Sequence, residues 1–507
     1  MRSSNPARCR APGVLLLVGG LMAAGPGLAR DAQGPGSSQG PWVRGEAGER
    51  VVSVLTSGDQ VAGMRVPGAP SGVAVLGGEG GRFTLFVSHD LGGAQGLSRA
   101  HGARGSFLSQ WQVDRATLAP IAGADLINAV WAQVGGLWSA LPAEPLRHLG
   151  APDLPSAAAW WDVDSGLGTT SRLLLTGEGE RNGQALAVVA QGLNQGRAFV
   201  LPWGARSEVS GQQVSWRVLR AHPAAGRQTL VMGLLGGDEG GLLLWVGNKQ
   251  ASGNAVERAG LTSGQVYRLT VPGQPRETRA HDAGLALAGR QVAFEAVGGS
   301  GDAFADRVAP ATRWLQPADG AWDPLHPKDF YLVTQDRMDG AKEAGQDADT
   351  PVGQRGRSRL WRLSFHDLDR PDRGGTLTLL ENGVPATGAY QRLAAVQVVQ
   401  GGSVALAEDP GVDARPAALW RGRLNSDSGT TRLLQRHAQA DVARFGDTAT
   451  SGTQGRGEGF ASLVDLDRDI GLPGGHRNCL LSALRDRQPN ADPAVVEGGQ
   501  VLLLCGR

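Results

Sequence analysis

Short runs of apolar residues recur along the chain and are separated by Gly, Asp, Asn and Pro. Those four residue types favour tight turns, and apolar runs bounded by them are typical of β-strands. The clearest strand-like runs are residues 82–88, 172–176, 185–189, 228–232, 241–246, 265–270, 329–334, 358–363 and 500–504. This pattern predicts an all-β protein with strands over most of its length.

The composition narrows the fold further. The chain contains 77 glycines, and each glycine inside a helix costs about 1 kcal/mol relative to alanine. We expect only short helices in loops, at 116–140 and 482–487. So many strands could form two β domains or one closed propeller, which leaves only short, protected edges. No break in composition marks a second domain, so we expect one β-propeller of about six degenerate blades.

The first residues have the features of an export signal. Arg2, Arg8 and Arg10 precede an apolar core at 14–24, and the small residues Gly27 and Ala29 fit positions −3 and −1 of a signal peptidase site. That core is shorter than the about 20 residues needed to cross a bilayer. We therefore expect a signal peptide at 1–29 and an exported protein, periplasmic or secreted, without a membrane span.

The rest of the chain is expected to form a flexible leading segment at 30–48, rich in Gly, Ser and Pro, and one propeller domain at 49–507. Polar loops at 338–357 and 447–456 interrupt the strand pattern. The formal net charge is +1, so no overall field attracts nucleic acid. We expect a monomer that does not bind nucleic acid.

Two cysteines, Cys479 and Cys505, follow the leader. An oxidising compartment permits a disulfide between them, which would close a loop of about 26 residues and contribute about 3 kcal/mol by chain entropy. Two buried free thiols are the alternative.

Several segments, in order, resemble one family, the PhoX-like exported β-propellers, whose founding members are calcium- and iron-dependent alkaline phosphatases. The segments are 87–91 (VSHDL), 98–102 (SRAHG), 176–178 (TGE), 196–199 (GRAF), 259–267 (AGLTSGQVY), 319–324 (DGAWDP), 356–362 (GRSRLWR), 408–411 (EDPG) and 492–500 (DPAVVEGGQ). The resemblance implies a propeller fold and metal-dependent hydrolysis of phosphomonoesters.

Several positions depart from the family pattern. Gly177 stands where the phosphatases have an iron-binding cysteine, and Arg217 stands where they have a metal-binding glutamate. Gln316 and Ala318 replace a family arginine and a ligand glutamate. Residues 393–395 and 457–459 also lose family acids. The substitutions argue against iron and weaken the calcium cluster, because each lost carboxylate removes an oxygen ligand.

The acids that remain define a candidate site. Glu178, Glu180, Asp319 and Glu458 are the candidate metal ligands, and a single calcium is the metal they could hold. A second set is expected at the mouth of the propeller axis: His89, Asp90, Asp336 and Glu408. In the alternative interpretation, Asp336, Asp323 and Asp409 cap turns and His89 is a structural histidine.

Two functions follow from these residues. The first is a metal-dependent phosphoester hydrolase of the PhoX kind, acting on a small phosphoester. The second is a non-catalytic propeller, a pseudoenzyme that binds a ligand or a partner in the cell envelope. The substitutions at Gly177, Arg217, Gln316 and Ala318 favour the second.

Overall fold

The apolar runs form antiparallel strands in a computed structural model. The structure describes residues 31–46, 48–180, 182–205, 215–236, 239–273, 275–277, 289–297, 310–335, 358–382, 392–399, 402–409, 416–424, 431–440, 458–472 and 477–506. All nine strand-like runs named from the sequence lie within or overlap strands, so the all-β prediction is confirmed. The two polar loops and the proposed signal peptide lie outside the described residues.

Six groups of paired strands follow one another around a central axis, and we number these blades in chain order. Blade 1 contains Pro70–Gly77, Arg82–His89, Phe107–Asp114 and Pro120–Asp125. Blade 2 contains Arg172–Gly177, Ala185–Gln191 and Arg197–Val200, with the hairpin of Ala129–Val134 and Leu137–Leu141 added outside. Blade 3 contains Trp216–Ala221, Gln228–Leu235, Leu242–Asn248 and Gly264–Thr270.

The second half of the ring repeats this arrangement. Blade 4 contains Pro317–Trp322, Asp329–Thr334, Arg359–Phe365 and Gly375–Asn382. Blade 5 contains Leu393–Val399, Ser403–Glu408, Ala418–Leu424 and Thr431–Ala440, edged by Val43–Gly45. Blade 6 contains Glu458–Asp465, Arg477–Pro489, Glu497–Gly506 and Arg50–Thr56, edged by Ala32–Gln33.

Smaller elements connect the blades. Arg290–Ala296 pairs with the outer strands of blades 3 and 4 and joins them into one sheet. Short two-stranded pairs are Gln60–Val61 with Met64–Arg65, Trp161–Asp162 with Leu167–Gly168, and Glu239–Gly240 with Trp314–Leu315. The innermost position of blade 2 is held by residues 149–153, where Leu149 bridges to Glu178 and Asp153 bridges to Leu175.

Apolar cores lie between neighbouring blades, which is why the strands are buried on both faces. Six buried clusters join blades 1 and 2, 2 and 3, 3 and 4, 4 and 5, 5 and 6, and 6 and 1. This closed succession of cores is the packing of a β-propeller. The expectation of a propeller with about six blades is therefore confirmed.

The helices differ from the sequence-based expectation. The segment 116–140 forms strands, and 482–487 lies inside the strand Arg477–Pro489. Burial against neighbouring strands outweighs the local helix preference at 482–487. The largely exposed strands within 116–140 are instead held by pairing with Phe107–Asp114 and Arg197–Val200. The described helices are the single turns Ala255–Arg258 and Leu466–Asp469 and the 3₁₀ turns Ala157–Ala159, Pro202–Gly204 and Pro371–Arg373. Among the described residues, none of the helices has the length and apolarity to cross a bilayer.

The ring closes in blade 6, where an early strand pairs with a late one. Arg50–Thr56 runs antiparallel to Glu497–Gly506, with Arg50 opposite Cys505. In the same sheet Cys479 and Cys505 are register partners and are joined by a disulfide. The strands of 31–45 within the proposed leading segment pair with blades 6 and 5. The domain boundaries stay a prediction.

Candidate functional site at the N-terminal mouth

The innermost segments of all six blades begin at one end of the axis and surround a cavity of about 190 Å³. We call this cavity the N-terminal mouth. The innermost segment of every blade lines this cavity. Representative lining residues, in blade order, are Ser71, Gly150, Arg217, Ala318, Ala394 and Phe460. Most of these side chains are small or apolar, and the inner strands contribute two charged groups to the cavity, Arg217 and Asp319, each near the start of its strand.

The second strands bring most of the other charges. They run back towards the N-terminal mouth, and Asp90 and Asp409 follow the ends of two of them, in blades 1 and 5. In blade 6 the second strand carries Arg485 and Arg487 at alternate positions, and both side chains line the cavity. Residues two apart on a strand face the same side, which places both guanidinium groups in the mouth.

Asp90 is the centre of one charged network. It accepts a hydrogen bond from Nδ1 of His148 at 2.7 Å and one from the guanidinium of Arg485. Arg485 also donates to Glu497 at 2.7 Å. Burial alone would raise the pKa of Asp90, but the hydrogen bond from His148 and the charge of Arg485 outweigh it and lower the pKa to about 2. The hydrogen bond to Asp90 in turn raises the pKa of His148.

A second pair lies across the cavity. Arg487 holds Asp409 in a bidentate contact, with nitrogen–oxygen distances of 2.9 and 2.5 Å. Burial opposes ionisation of Asp409, yet Arg487 keeps the pKa of this carboxyl below its usual value. The pair occupies the space beside Gly459, where an added Cβ would lie 2.2 Å from Asp409 Oδ1. The absence of a side chain at Gly459 leaves room for this ion pair.

Arg217 differs from the other two arginines. Its side chain lines the cavity and is exposed to solvent within it, and no hydrogen bond or ion pair holds it among the described residues. The surrounding protein removes bulk water and lowers its pKa, against the attraction of Asp409 and Asp90. Because both of those carboxylates are already paired with arginines, Arg217 provides a positive charge available to a ligand.

The candidate metal ligands of blade 2 have other partners. Both oxygens of Glu178 accept backbone N–H groups, from Arg147 at 2.9 Å and Gln184 at 3.0 Å, and the side chain is fully buried. Glu180 pairs with the Arg147 guanidinium at 3.0 Å. These contacts stabilise the turn after the strand Arg172–Gly177.

Both carboxylate oxygens of Asp319 in blade 4 also have hydrogen-bond partners. One oxygen accepts from the Arg220 guanidinium and the Gly320 N–H, each at 2.7 Å, and the other accepts from the Val396 N–H at 3.1 Å. Burial raises the pKa of Asp319 in spite of Arg220. Calcium needs several oxygens that it can bind directly, and the oxygens of Glu178 and Asp319 are taken.

The remaining candidate residues are distributed around the ring. Glu458 and Glu408 are fully buried at strand ends in blades 6 and 5, and Glu408 accepts from Trp420 Nε1 at 3.0 Å. His89 lies in the core of blade 1. Asp336 lies outside the described residues. The structure therefore brings Asp90 and Asp319 to the mouth, joined by Arg217, but within the described segments it does not gather Glu178, Glu180, Asp319 and Glu458 into one cluster.

One group in the described parts of the chain has metal-ligand geometry. Ligand atoms of Asp323, His326 and Asp329 lie within 4.8 Å of one another, in the hairpin between the first two strands of blade 4. Asp323 accepts from the backbone N–H of Leu325 at 2.8 Å and of His326 at 3.2 Å. This carboxylate caps its turn, as the alternative interpretation predicted.

The comparisons with known proteins bear on the fold. No family model matches the sequence, and no curated protein matches it. Among solved structures, PhoX of Pseudomonas fluorescens in complex with vanadate is similar with a TM-score of 0.56 and 11% identity, over 92% of this chain and 96% of that one. At this identity the likeness establishes the β-propeller fold alone.

Two weaker matches have lower TM-scores. A protein of unknown function from Dyadobacter fermentans has a TM-score of 0.43 and 11% identity, over 92% of this chain and all of that one. The β-propeller domain of Cps50 (Swd1) from Myceliophteria thermophila has 0.35 and 10%, over 87% of this chain and 97% of that one.

Proposed function

We propose that this protein is an exported propeller that binds a small oxyanion at the N-terminal mouth and does not hydrolyse phosphoesters through a metal cluster. The observation that carries the proposal is the set of Arg217, Arg485 and Arg487 around one axial cavity. Guanidinium groups are well suited to carboxylate and phosphate, because their N–H donors match the spacing of the oxygens.

The two paired arginines would form a rigid frame for the ligand. Asp90 and Asp409 fix the orientations of Arg485 and Arg487 before any ligand arrives. Such preorganisation lowers the conformational entropy lost on binding. Arg217 would supply the charge that attracts the anion, since no carboxylate in the described part of the chain is paired with its guanidinium.

The carboxylates of the N-terminal mouth are not available to hold the metal ions of a PhoX-type phosphatase. A two-metal phosphatase holds its ions with several free carboxylates. At this mouth the carboxylates of Asp90, Asp409 and Asp319 are bound to arginines. A cation placed between them would also face Arg217.

Titration with inorganic phosphate, followed by calorimetry, tests the proposal on protein expressed with its own leader. We expect saturable binding that weakens about tenfold or more in Arg217→Gln, the loss expected for one charged hydrogen-bonding group. Arg82→Gln is the matched control, because Arg82 is exposed at the far end of blade 1. The intact mass should correspond to cleavage after Ala29.

Two further measurements on the same sample separate the proposal from the phosphatase alternative. Elemental analysis should find no stoichiometric iron, and p-nitrophenyl phosphate should not turn over with added calcium. Stoichiometric iron or clear turnover would overturn the proposal in favour of a PhoX-type phosphatase. Equal phosphate binding by the wild type and Arg217→Gln would remove Arg217 from the site.

A further inference from the structure

A cavity of about 210 Å³ lies at the outer rim of the ring, between blades 6 and 1. Three strands of blade 6 form one side of it: Ala32–Gln33, Arg50–Thr56 and Glu497–Gly506. The other side is the turn 115–118 of blade 1, which follows the strand Phe107–Asp114. We call this space the rim cavity. Among the described residues, it shares none of its lining with the N-terminal mouth.

The wall of the rim cavity is largely apolar. Val52 is the register partner of Leu503, and Arg50 is the register partner of Cys505. Residues two apart on a strand share a face, so these side chains form one continuous surface. Three further apolar residues line the cavity: Ala32, Leu118 and Leu472. Most of this wall also belongs to the core between blades 6 and 1, so the cavity continues that core outwards.

Two arginines, Arg50 and Arg115, line the same cavity. In the parts of the chain that the structure describes, no hydrogen bond or ion pair holds either guanidinium group. The Nε of Arg115 is buried, and it too has no hydrogen-bond partner there. A buried donor without a partner is unfavourable, so a ligand that supplies an acceptor gains affinity.

The carboxylates on neighbouring segments have other partners. Asp31 accepts the backbone N–H of Val51 at 3.1 Å. Asp114 accepts the backbone N–H of Thr117 at 2.8 Å and its hydroxyl at 2.7 Å. The described lining of the rim cavity contains neither Asp nor Glu. The cavity therefore presents two positive charges beside an apolar wall, which favours an anion.

The volume and the wall limit the kind of anion. An apolar cavity of about 150 Å³ holds one benzene molecule, so the rim cavity has room for about six to eight carbons. An apolar wall with a few convergent polar groups is the usual character of a small-molecule site. A free inorganic anion would contact the arginines but would leave the apolar wall in water.

We propose that the rim cavity binds a medium-chain carboxylate, with its carboxylate on Arg50 and Arg115 and its hydrocarbon chain on the apolar wall. The N–H donors of a guanidinium group match the spacing of carboxylate oxygens. Burial of the chain removes apolar surface of both the ligand and the wall from water. This site does not depend on anion binding at the N-terminal mouth.

Octanoate is the probe, titrated into the full mature protein and followed by calorimetry. We expect saturable binding. Octanol has the same chain without the charge, and it should bind at least about tenfold more weakly, because it forms no charged hydrogen bond. Acetate has the same head group without the long chain. It should bind at least about a hundredfold more weakly, because it leaves most of the apolar wall exposed to water.

Substitution of each arginine locates the site. Arg50→Gln and Arg115→Gln should each weaken octanoate binding about tenfold, the loss expected for one charged hydrogen-bonding group. Arg423→Gln is the matched control, because Arg423 is exposed on blade 5, and it should bind octanoate like the wild type. Circular dichroism checks that the variants are folded.

The comparison of the three ligands on the wild type needs no variant, so it decides the proposal even if one variant fails to fold. Equal affinity for octanol or acetate, or no saturable binding of octanoate to the folded wild type, would overturn the proposal. Unchanged octanoate affinity in both Arg50→Gln and Arg115→Gln, or an equal loss in Arg423→Gln, would do the same.

Discussion

His89 and Asp90 of blade 1 are adjacent in sequence, but one side chain lies in the core and the other in the cavity. Asp90 reaches the N-terminal mouth, whereas His89 stacks on Phe107 with ring centroids 4.5 Å apart. His89 Nδ1 donates to the Gly68 carbonyl at 2.7 Å, and Nε2 accepts from the Ser109 hydroxyl at 2.8 Å. These contacts satisfy a neutral imidazole completely.

Acid should therefore destabilise the protein through His89. Burial lowers the pKa of His89 to about 3 in the folded state, whereas an unfolded histidine has a pKa of about 6.5. Between these values the unfolded chain binds more protons, so stability falls as the pH falls below about 6.5, by about 2 kcal/mol at pH 5. The measurement is the free energy of unfolding in urea at pH 7 and pH 5.

The variant His89→Gln isolates this effect. It should be less stable than the wild type at pH 7 but should lose less stability between pH 7 and pH 5. His326→Gln, at an exposed imidazole, should keep the acid sensitivity of the wild type. If His89→Gln and the wild type showed the same loss on acidification, the buried imidazole would not be the cause.

Among elements, the strand Arg477–Pro489 shows most clearly what the sequence could predict. Its apolar partner Glu497–Gly506 was recognisable from the run at 500–504, and the resemblance in ordered motifs indicated a propeller. The sequence suggests a short helix at 482–487. Its strand pattern, the alternation that puts Arg485 and Arg487 on one face, is too short to be recognised without the neighbouring blades. Read with a period of two, the same residues place two arginines on one face.

The charged groups of the N-terminal mouth are harder to predict from the sequence, because their partners come from different blades. The resemblance to the phosphatases pointed to Arg217 as a residue of the site, and its side chain does line the mouth. His148 and Arg485 could not be identified in this way, since their partner Asp90 lies 58 and 395 positions away in sequence. Contacts over such separations depend on how six blades close, which local patterns do not encode.

The end of the strand Arg172–Gly177 provides a test at the same scale. A Cβ on Gly177 would lie 2.4 Å from Trp216 Cβ, so the inner packing of blades 2 and 3 excludes a side chain there. Gly177→Ala should lower the free energy of unfolding by about 2–3 kcal/mol, as overpacking of a core does. Gly40→Ala, with nothing within 4 Å of its Cβ, is the control. Chemical denaturation that left both variants equally stable would contradict this packing.

The whole molecule depends on blade 6, where the two parts of the chain meet. Strands at 50–56 and 458–506 share one sheet, so the ring cannot close until almost the entire chain is present. The sequence predicted the number of blades but not this pairing, because the two segments are separated by the other five blades. Long-range pairing of this kind slows folding.

The disulfide in blade 6 should stabilise the ring globally. Removing it with Cys479→Ala and Cys505→Ala together should lower the free energy of unfolding by about 3 kcal/mol, the chain-entropy value for a loop of this length. Dithiothreitol should have a similar effect on the wild type and none on the double variant. A reduced wild type that unfolds at the same denaturant concentration as the oxidised protein would contradict a global role.

The ion pair of Arg220 and Asp319 lies between the N-terminal mouth and another cavity, of about 220 Å³, at the opposite end of the axis, since Asp319 lines the first and Arg220 lines the second. These two cavities share no lining residue among the described parts of the chain. We therefore expect a molecule bound at either end to leave by the route through which it arrived. Covering one face of the disc with an antibody would slow exchange at that end while leaving exchange at the other unchanged.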